Sequence, residues 1–178
     1  MNHGIKTSRL YLRPMDLSDC EFIFDLDAAA SVRQFLLMPS APTRAEATDF
    51  VMQRIALHQD NPQHGFWIVL CTLQRKPIGW IHLKPSVREP NGTEIGWRFL
   101  QESWGNGYAL EASNALLAHA NVVTQSHPLV ATCLAENRRS IRVMEKLNMV
   151  LLHRFLYLDQ HPALMYIGYA KDDEVGHL

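Results

Sequence analysis

Two glycines one residue apart, Gly105 and Gly107, stand at the mouth of a helical apolar pattern in the stretch "ESWGNGYALEASNALLAHA", Glu102 to Ala120. Glycine allows a backbone to approach a ligand closely and to adopt left-handed turns. The first turn of a helix leaves N–H groups without intrahelical partners, and its dipole favours negative charge. The backbone donors of Trp104, Gly105, Asn106, Gly107, Tyr108 and Ala109 therefore offer a site for phosphate oxygens. The loop holds no lysine, so dipoles rather than a formal charge would do the holding. The same Gly-x-Gly also reads as a tight strand-to-helix connection and nothing more. A dinucleotide fingerprint is excluded, because position 110 is Leu110 where glycine or alanine is needed. A Gly-Lys-Ser/Thr phosphate loop is absent.

A second stretch with chemical content is "ENRRSIRVMEKLNM", Glu136 to Met149. Asn137 ends a strand where a helix N-cap is wanted, with Ser140 three residues on, and capping alone accounts for Asn137. Asn148 falls where a helix ends in a left-handed residue. The nine histidines show no HExxH-type spacing, so no metal is expected. Cys20, Cys71 and Cys133 form no CxxC pair and no even framework, which points to a reduced, cytoplasmic setting.

Elements must hold these stretches in place, and 178 residues are enough for one domain with a substantial core. Apolar residues make up 47% and the net charge is −1, so neither a nucleic-acid surface nor a polybasic membrane patch is expected. No apolar run approaches a membrane span or a signal peptide. "RLYLRP" alternates as a first strand ended by Pro14. Capping boxes at Ser18/Glu21 and Thr43/Glu46 open two helices, the second carrying Ala47, Phe50, Val51 and Ile55 at helical spacing. "FWIVLCTL", "PIGWIHLKP" and "TEIGWRFL" read as three antiparallel strands, the last two joined through a tight Asn-Gly turn. A helix from Tyr108 to about Asn121 follows, then the strand "PLVATCL", the helix "RRSIRVMEKL", and a final hairpin of "MVLLHRFLYL" and "ALMYIGYA". The pattern is a mixed α/β or α+β sheet of about seven strands with about four helices.

In order along the chain, "TSRLYLRPMDLSD", "EIGWRFL", "WGNGYALEA" and "NRRSIRVMEKLNM" together resemble the GNAT superfamily of N-acetyltransferases. Within it they resemble the RimJ/RimL type, which acetylates ribosomal-protein N-termini. The resemblance implies one N-acetyltransferase domain over 1–178 whose mostly antiparallel sheet splays between its fourth and fifth strands. Acetyl-CoA would lie in that cleft as cosubstrate, with no metal. Its pyrophosphate would meet the N–H groups of Trp104 to Tyr108, and its pantetheine arm would run along Trp97, Arg98 and Phe99. Asn137 would bond that arm or hold the local backbone, and Ser140 would stand near the thioester sulfur. Two positions depart from the superfamily's habits: Glu102 replaces a Gln or Arg before the first glycine, and Met144 replaces a tyrosine acid.

Acetyl transfer to an amine then needs a neutral amine, a home for an oxyanion and a proton for the departing thiolate. Glu94, on the strand leading into the cleft, is the first candidate base, and Asp159 the second. A solvated cross-strand charge is an equal reading of Glu94. A backbone N–H of the splayed strand can meet the oxyanion, and Ser140 can pass a proton to sulfur. The acceptor is expected to be a protein N-terminus or a small amine, and the protein a monomer or homodimer. A CoA-binding sensor or scaffold without turnover stays open as the alternative.

Overall fold

The computed structural model describes residues 4–60, 64–120 and 128–168. β1 (Ile5–Lys6), β2 (Leu10–Pro14), β3 (Gly65–Cys71), β4 (Lys76–Pro85), β5 (Thr93–Phe99), β6 (Leu129–Leu134), β7 (Val150–Tyr157) and β8 (His161–Gly168) form one sheet. Its order is β1-β2-β3-β4-β5-β6-β8-β7. Every neighbouring pair is antiparallel except β5 and β6. The expected seven strands are present, and the added one is the two-residue β1, too short to leave an alternating pattern. The final hairpin forms as expected, but β8 rather than β7 lies beside β6.

Two groups of helices cover the sheet's faces. α1 (Cys20–Ala28), α2 (Ala30–Arg33) and α3 (Arg44–Asp60) pack Ile23, Leu26, Val32 and Val51 against Phe66, Ile68 and Trp80. α4 (Tyr108–Ala120) and α5 (Arg138–Lys146) pack Ala112, Leu116, Ile141 and Met144 against Leu12, Ile81, Ile95 and Ala131. The central strands are thus buried on both sides. That is why "GFWIVLC" is apolar throughout instead of alternating. α2 is a single turn with no sequence signal of its own.

Local signals were obeyed unequally. The Thr43/Glu46 box forms reciprocally: the Thr43 N–H donates to Glu46 Oε2 at 2.7 Å, and the Glu46 N–H to Thr43 Oγ1 at 3.2 Å. The Ser18/Glu21 box does not form. A 3₁₀ turn at Leu17–Asp19 precedes α1, and its box is Asp16 with Asp19, which leaves Glu21 to pair with Arg44 at 2.6 Å. Asp16 is the better cap because Arg13 clamps Asp19 at 2.6 Å on the buried side. The Asn-Gly pair makes no two-residue turn either. The connection runs from Ser86 to Gly92, with Asn91 left-handed at φ 60 and Ser86 N–H donating to the Gly92 carbonyl. Asn148 ends α5 left-handed, also at φ 60, as the sequence indicates. Asn121, Tyr169 and Ala170 lie outside the described residues. Among the described residues no helix is long and apolar enough to cross a membrane, and no group of three or more His, Cys, Asp or Glu is placed to hold a metal ion.

Candidate active site

The parallel pairing of β5 with β6 covers only Thr93↔Leu129 and Glu94↔Val130. Beyond these residues β6 stays with β8 as far as Leu134, and β5 stays with β4 as far as Phe99. The sheet therefore opens in a V. A cavity of about 440 Å³ occupies the opening, walled by Trp97 to Phe99, Trp104, Gly105, Gly107 to Leu110, Thr132, Cys133, Asn137, Ser140 and Val143.

Strand alternation fixes which groups of β5 look into the V. The Thr93 N–H donates to the Pro128 carbonyl on the β6 side, and the Leu100 N–H donates to the Ile78 carbonyl on the β4 side. Residues two apart share a direction. Trp97 and Phe99 thus turn their backbone groups into the gap, whereas the backbone of Arg98 pairs with β4. The Phe99 carbonyl is taken by the Trp104 indole N–H at 2.8 Å. Among the described residues, two N–H groups and one carbonyl of Trp97 and Phe99 are left to face a ligand. The Arg98 side chain leaves on the opposite face and meets Asp27 of α1 at 2.5 Å.

The glycine loop caps one end of the V. Gly105 and Gly107 have φ of +78° and +79°, a region that L side chains enter only with strain. A Cβ on Gly105 would meet nothing within 4 Å, and one on Gly107 only the Arg9 guanidinium at 3.6 Å. The protein itself leaves this space open. Asn106 faces away: its side-chain amide donates to the Ser103 and Trp104 carbonyls, and its own carbonyl accepts from Arg9. Glu111, one turn into α4, anchors the assembly from below. It accepts from Thr7 Oγ1 (2.6 Å), Ser8 Oγ (3.1 Å), the Arg9 N–H (3.0 Å) and Arg9 Nε (2.7 Å). Burial pushes the Glu111 carboxyl up, but the donors from Thr7 and Arg9 more than offset it and hold it below its ordinary value.

The opposite wall belongs to α5. Asn137 Oδ1 accepts from the Ser140 N–H at 3.1 Å, so Asn137 caps the helix. The Ser140 hydroxyl lines the cavity and has no hydrogen-bond partner among the described residues. Met144 is 1% exposed and packs in the core beneath α5, where it offers the cleft no proton. Arg139, Arg142 and Lys146 line the same wall, with the Arg139 guanidinium 4.7 Å above the Trp104 ring.

Glu94 stands apart from the cavity wall, at the closed end of the V, and shares the α1–α3 face with Arg98 by alternation. Its Oε1 lies 3.1 Å from Lys84 Nζ and 3.6 Å from His82 Nε2. Burial pushes its carboxyl up, and His82 and Lys84 more than offset this, so it sits below the ordinary carboxylate value. Asp159 occupies the exposed β7–β8 turn with φ 56.

The profile of the acetyltransferase (GNAT) domain matches residues 9–150. The chain belongs to the GNAT acetyltransferase family. An uncharacterized N-acetyltransferase of Bacillus subtilis, YnaD, is 29% identical over 145 residues, covering 82% of this chain and 81% of that protein. Among solved structures, a GNAT-family acetyltransferase from Bacillus anthracis superposes with TM-score 0.78 at 23% identity, covering 95% and 99% of the two chains. RimL, a ribosomal-protein α-N-acetyltransferase solved in complex with coenzyme A, superposes with TM-score 0.80 at 21% identity, covering 96% and 100%.

Several residues of this acetyltransferase's cleft carried no mark in sequence: Thr132 and Cys133 on β6, and Val32, Phe35 and Leu36 around α2. The basic residues of α5 had one, the helical spacing of Arg139, Arg142 and Lys146.

Two expectations arise here. Glu111→Gln removes the charge that four donors converge on, so the variant is expected to melt lower by several degrees. Because the folded carboxyl titrates below its ordinary value, its contribution is present above about pH 4.3 and lost as pH falls through the folded value. Thermal melts of both proteins should therefore differ at pH 7, and the difference should shrink progressively as the pH is lowered below the ordinary carboxylate value. For Cys133, burial pushes the thiol to about 11, so it stays protonated at neutral pH and slow toward alkylating agents. Mass spectrometry after iodoacetamide treatment should find it modified slowly, and more slowly still with acetyl-CoA present.

Proposed function

We propose that this chain transfers the acetyl group of acetyl-CoA to a primary amine, with the α-amine of a protein N-terminus as the first candidate acceptor. The observation that carries this is the V between β5 and β6, with a glycine loop at one end and the free hydroxyl of Ser140 inside. The residues fit acetyl-CoA. Gly105 and Gly107 border space that among the described residues only the Arg9 guanidinium approaches, and the gap-facing N–H groups of Trp97 and Phe99 with the Trp97 carbonyl can continue the sheet onto an extended arm. Arg139, Arg142 and Lys146 supply the positive charge that the loop lacks.

Acetyl-CoA, when bound, supplies an activated acyl group whose sulfur leaves as a thiolate. The chain's own residues do the rest. A gap-facing N–H of Trp97 or Phe99 can donate to the developing oxyanion from a fixed position. Glu94, ionised at neutral pH, takes a proton from the attacking nitrogen, directly or through one water. Ser140 passes its hydroxyl proton to sulfur and takes one back from water, while Glu94 returns the amine's proton to solvent.

The acceptor side is apolar at α2, where Val32, Phe35 and Leu36 reach the cleft. RimL is described as acting on a ribosomal protein's α-amine. Both support a peptide acceptor over a polyamine. The test is a panel of peptides beginning with Ser, Ala or Met beside spermidine and an amino-sugar, read by mass spectrometry. Acetylation of a peptide α-amine in preference to the small amines supports the reading; acetylation of small amines alone contradicts it.

Ser140→Ala separates proton donation from capping. The cap uses the Ser140 backbone N–H, which alanine keeps, so the melting temperature should hold while kcat falls about tenfold. An unaltered kcat at saturating acetyl-CoA would remove Ser140 from the chemistry.

A further inference from the structure

We propose that His82 positions the Glu94 carboxylate, donating its Nε2–H to Glu94 Oε1 so that Oε2 is left to face the acceptor amine. The inference rests on Glu94 as the base. His82 lies on β4 directly across from Gly96 of β5. It is 7% exposed, and its ring packs against Phe66 at 4.8 Å and Trp80 at 5.6 Å. A Cβ on Gly96 would stand 2.5 Å from His82 Cε1. The strand that carries Glu94 thus keeps a glycine where the ring crosses it.

Both ring nitrogens of His82 are buried without a hydrogen-bond partner among the described residues. A buried donor left unmade is costly, so a polar ring held in an aromatic stack calls for a reason. The carboxylate it approaches is Glu94, with 3.6 Å between Nε2 and Oε1. Closing that distance by roughly 0.7 Å makes an ordinary hydrogen bond. Lys84 Nζ already meets the same Oε1 at 3.1 Å. With that bond made, both partners hold one oxygen and fix the direction of the other.

Burial keeps the ring neutral, so it has one N–H to give. The other ionisable groups on this face are Lys84, Arg54 of α3 over the Phe66 ring, Arg98 with Asp27 of α1, and His64 at 3.4 Å from Thr93 Oγ1. Burial favours the neutral form of His64 as well.

The ring nitrogens are shielded from solvent and His82 does not line the cavity, so its effect passes through Glu94. Donation to the ionised form lowers the carboxyl's pKa. Removing the donor must raise it and move the acid limb of the rate profile to higher pH. His82→Phe deletes the N–H and keeps a ring that the Phe66–Trp80 stack accepts; His82→Gln returns an N–H donor. The experiment is a carbon-13 NMR titration of the Glu94 carboxyl, assigned by its loss in Glu94→Gln. It is paired with acetyl-CoA affinity and with kcat on the amine that the panel selects. In His82→Phe we expect the Glu94 midpoint to rise and kcat to fall about tenfold with acetyl-CoA affinity unchanged. His82→Gln should recover part of both. A wild-type midpoint and kcat in His82→Phe overturn the inference. A Glu94→Gln enzyme with the wild-type rate overturns it by a different route, through the base itself.

Discussion

Glu94→Gln is expected to lower kcat about 100-fold while leaving acetyl-CoA affinity nearly intact. The amide has the carboxylate's shape and cannot take a proton. The affinity should hold because Glu94 lies outside the cavity wall and on the face opposite α4 and α5. The pH dependence follows from the direction of its shift. A carboxyl below its ordinary value is ionised throughout pH 6 to 9, so the wild-type rate over that range should follow deprotonation of the amine. The Gln variant should keep that slope and lose height. A rate that is intact across pH 6 to 9 would return Glu94 to a half-buried partner of Lys84 and move attention to Asp159.

Gly107→Val is expected to weaken acetyl-CoA binding at least tenfold, about 1.4 kcal/mol or more. Two costs combine. At φ +79° a β-branched residue is strained, which costs on the order of 1–3 kcal/mol and deforms the loop. The new side chain also enters space that only the Arg9 guanidinium borders, at 3.6 Å, which is the space a phosphate would fill. Loss of stability alone would lower the melting temperature and leave affinity per folded molecule unchanged. Calorimetry on the folded variant distinguishes these. Unchanged affinity would detach the loop from the cofactor.

The residues that announced themselves in sequence are those whose role is set by backbone. Gly105 and Gly107 needed left-handed turns, Asn148 a left-handed helix end, and Thr43 with Glu46 a local pair; each is decided within a few residues. The splay of the sheet was legible only through the resemblance, because it depends on where β5 and β6 stop pairing across an intervening helix. Side-chain clusters built across strands were not legible at all. Glu94 meets Lys84 and His82 only because β4 and β5 take the register Lys84↔Glu94 and His82↔Gly96. Glu111 and the "TSR" segment are about a hundred positions apart in sequence and meet only in the fold. The Ser18/Glu21 box failed for a related reason: Arg13, held on β2, selects Asp19 and with it Asp16. The Asn-Gly turn failed because Gly92, half of the pair that signals it, is engaged by Ser86 six residues back, so the loop closes around Asn91 and not at the pair.

The central claim is turnover, not binding alone, and thiol release tests it most directly. The chain is mixed with acetyl-CoA and, in turn, each amine of the panel, and free CoA thiol is counted against acetylated product. We expect amine-dependent release, one thiol per acetylated amine and many per protein molecule. Acetyl-CoA that binds one-to-one, with no amine in the panel raising thiol release above the amine-free rate, would contradict the account and leave a CoA-binding domain without catalysis.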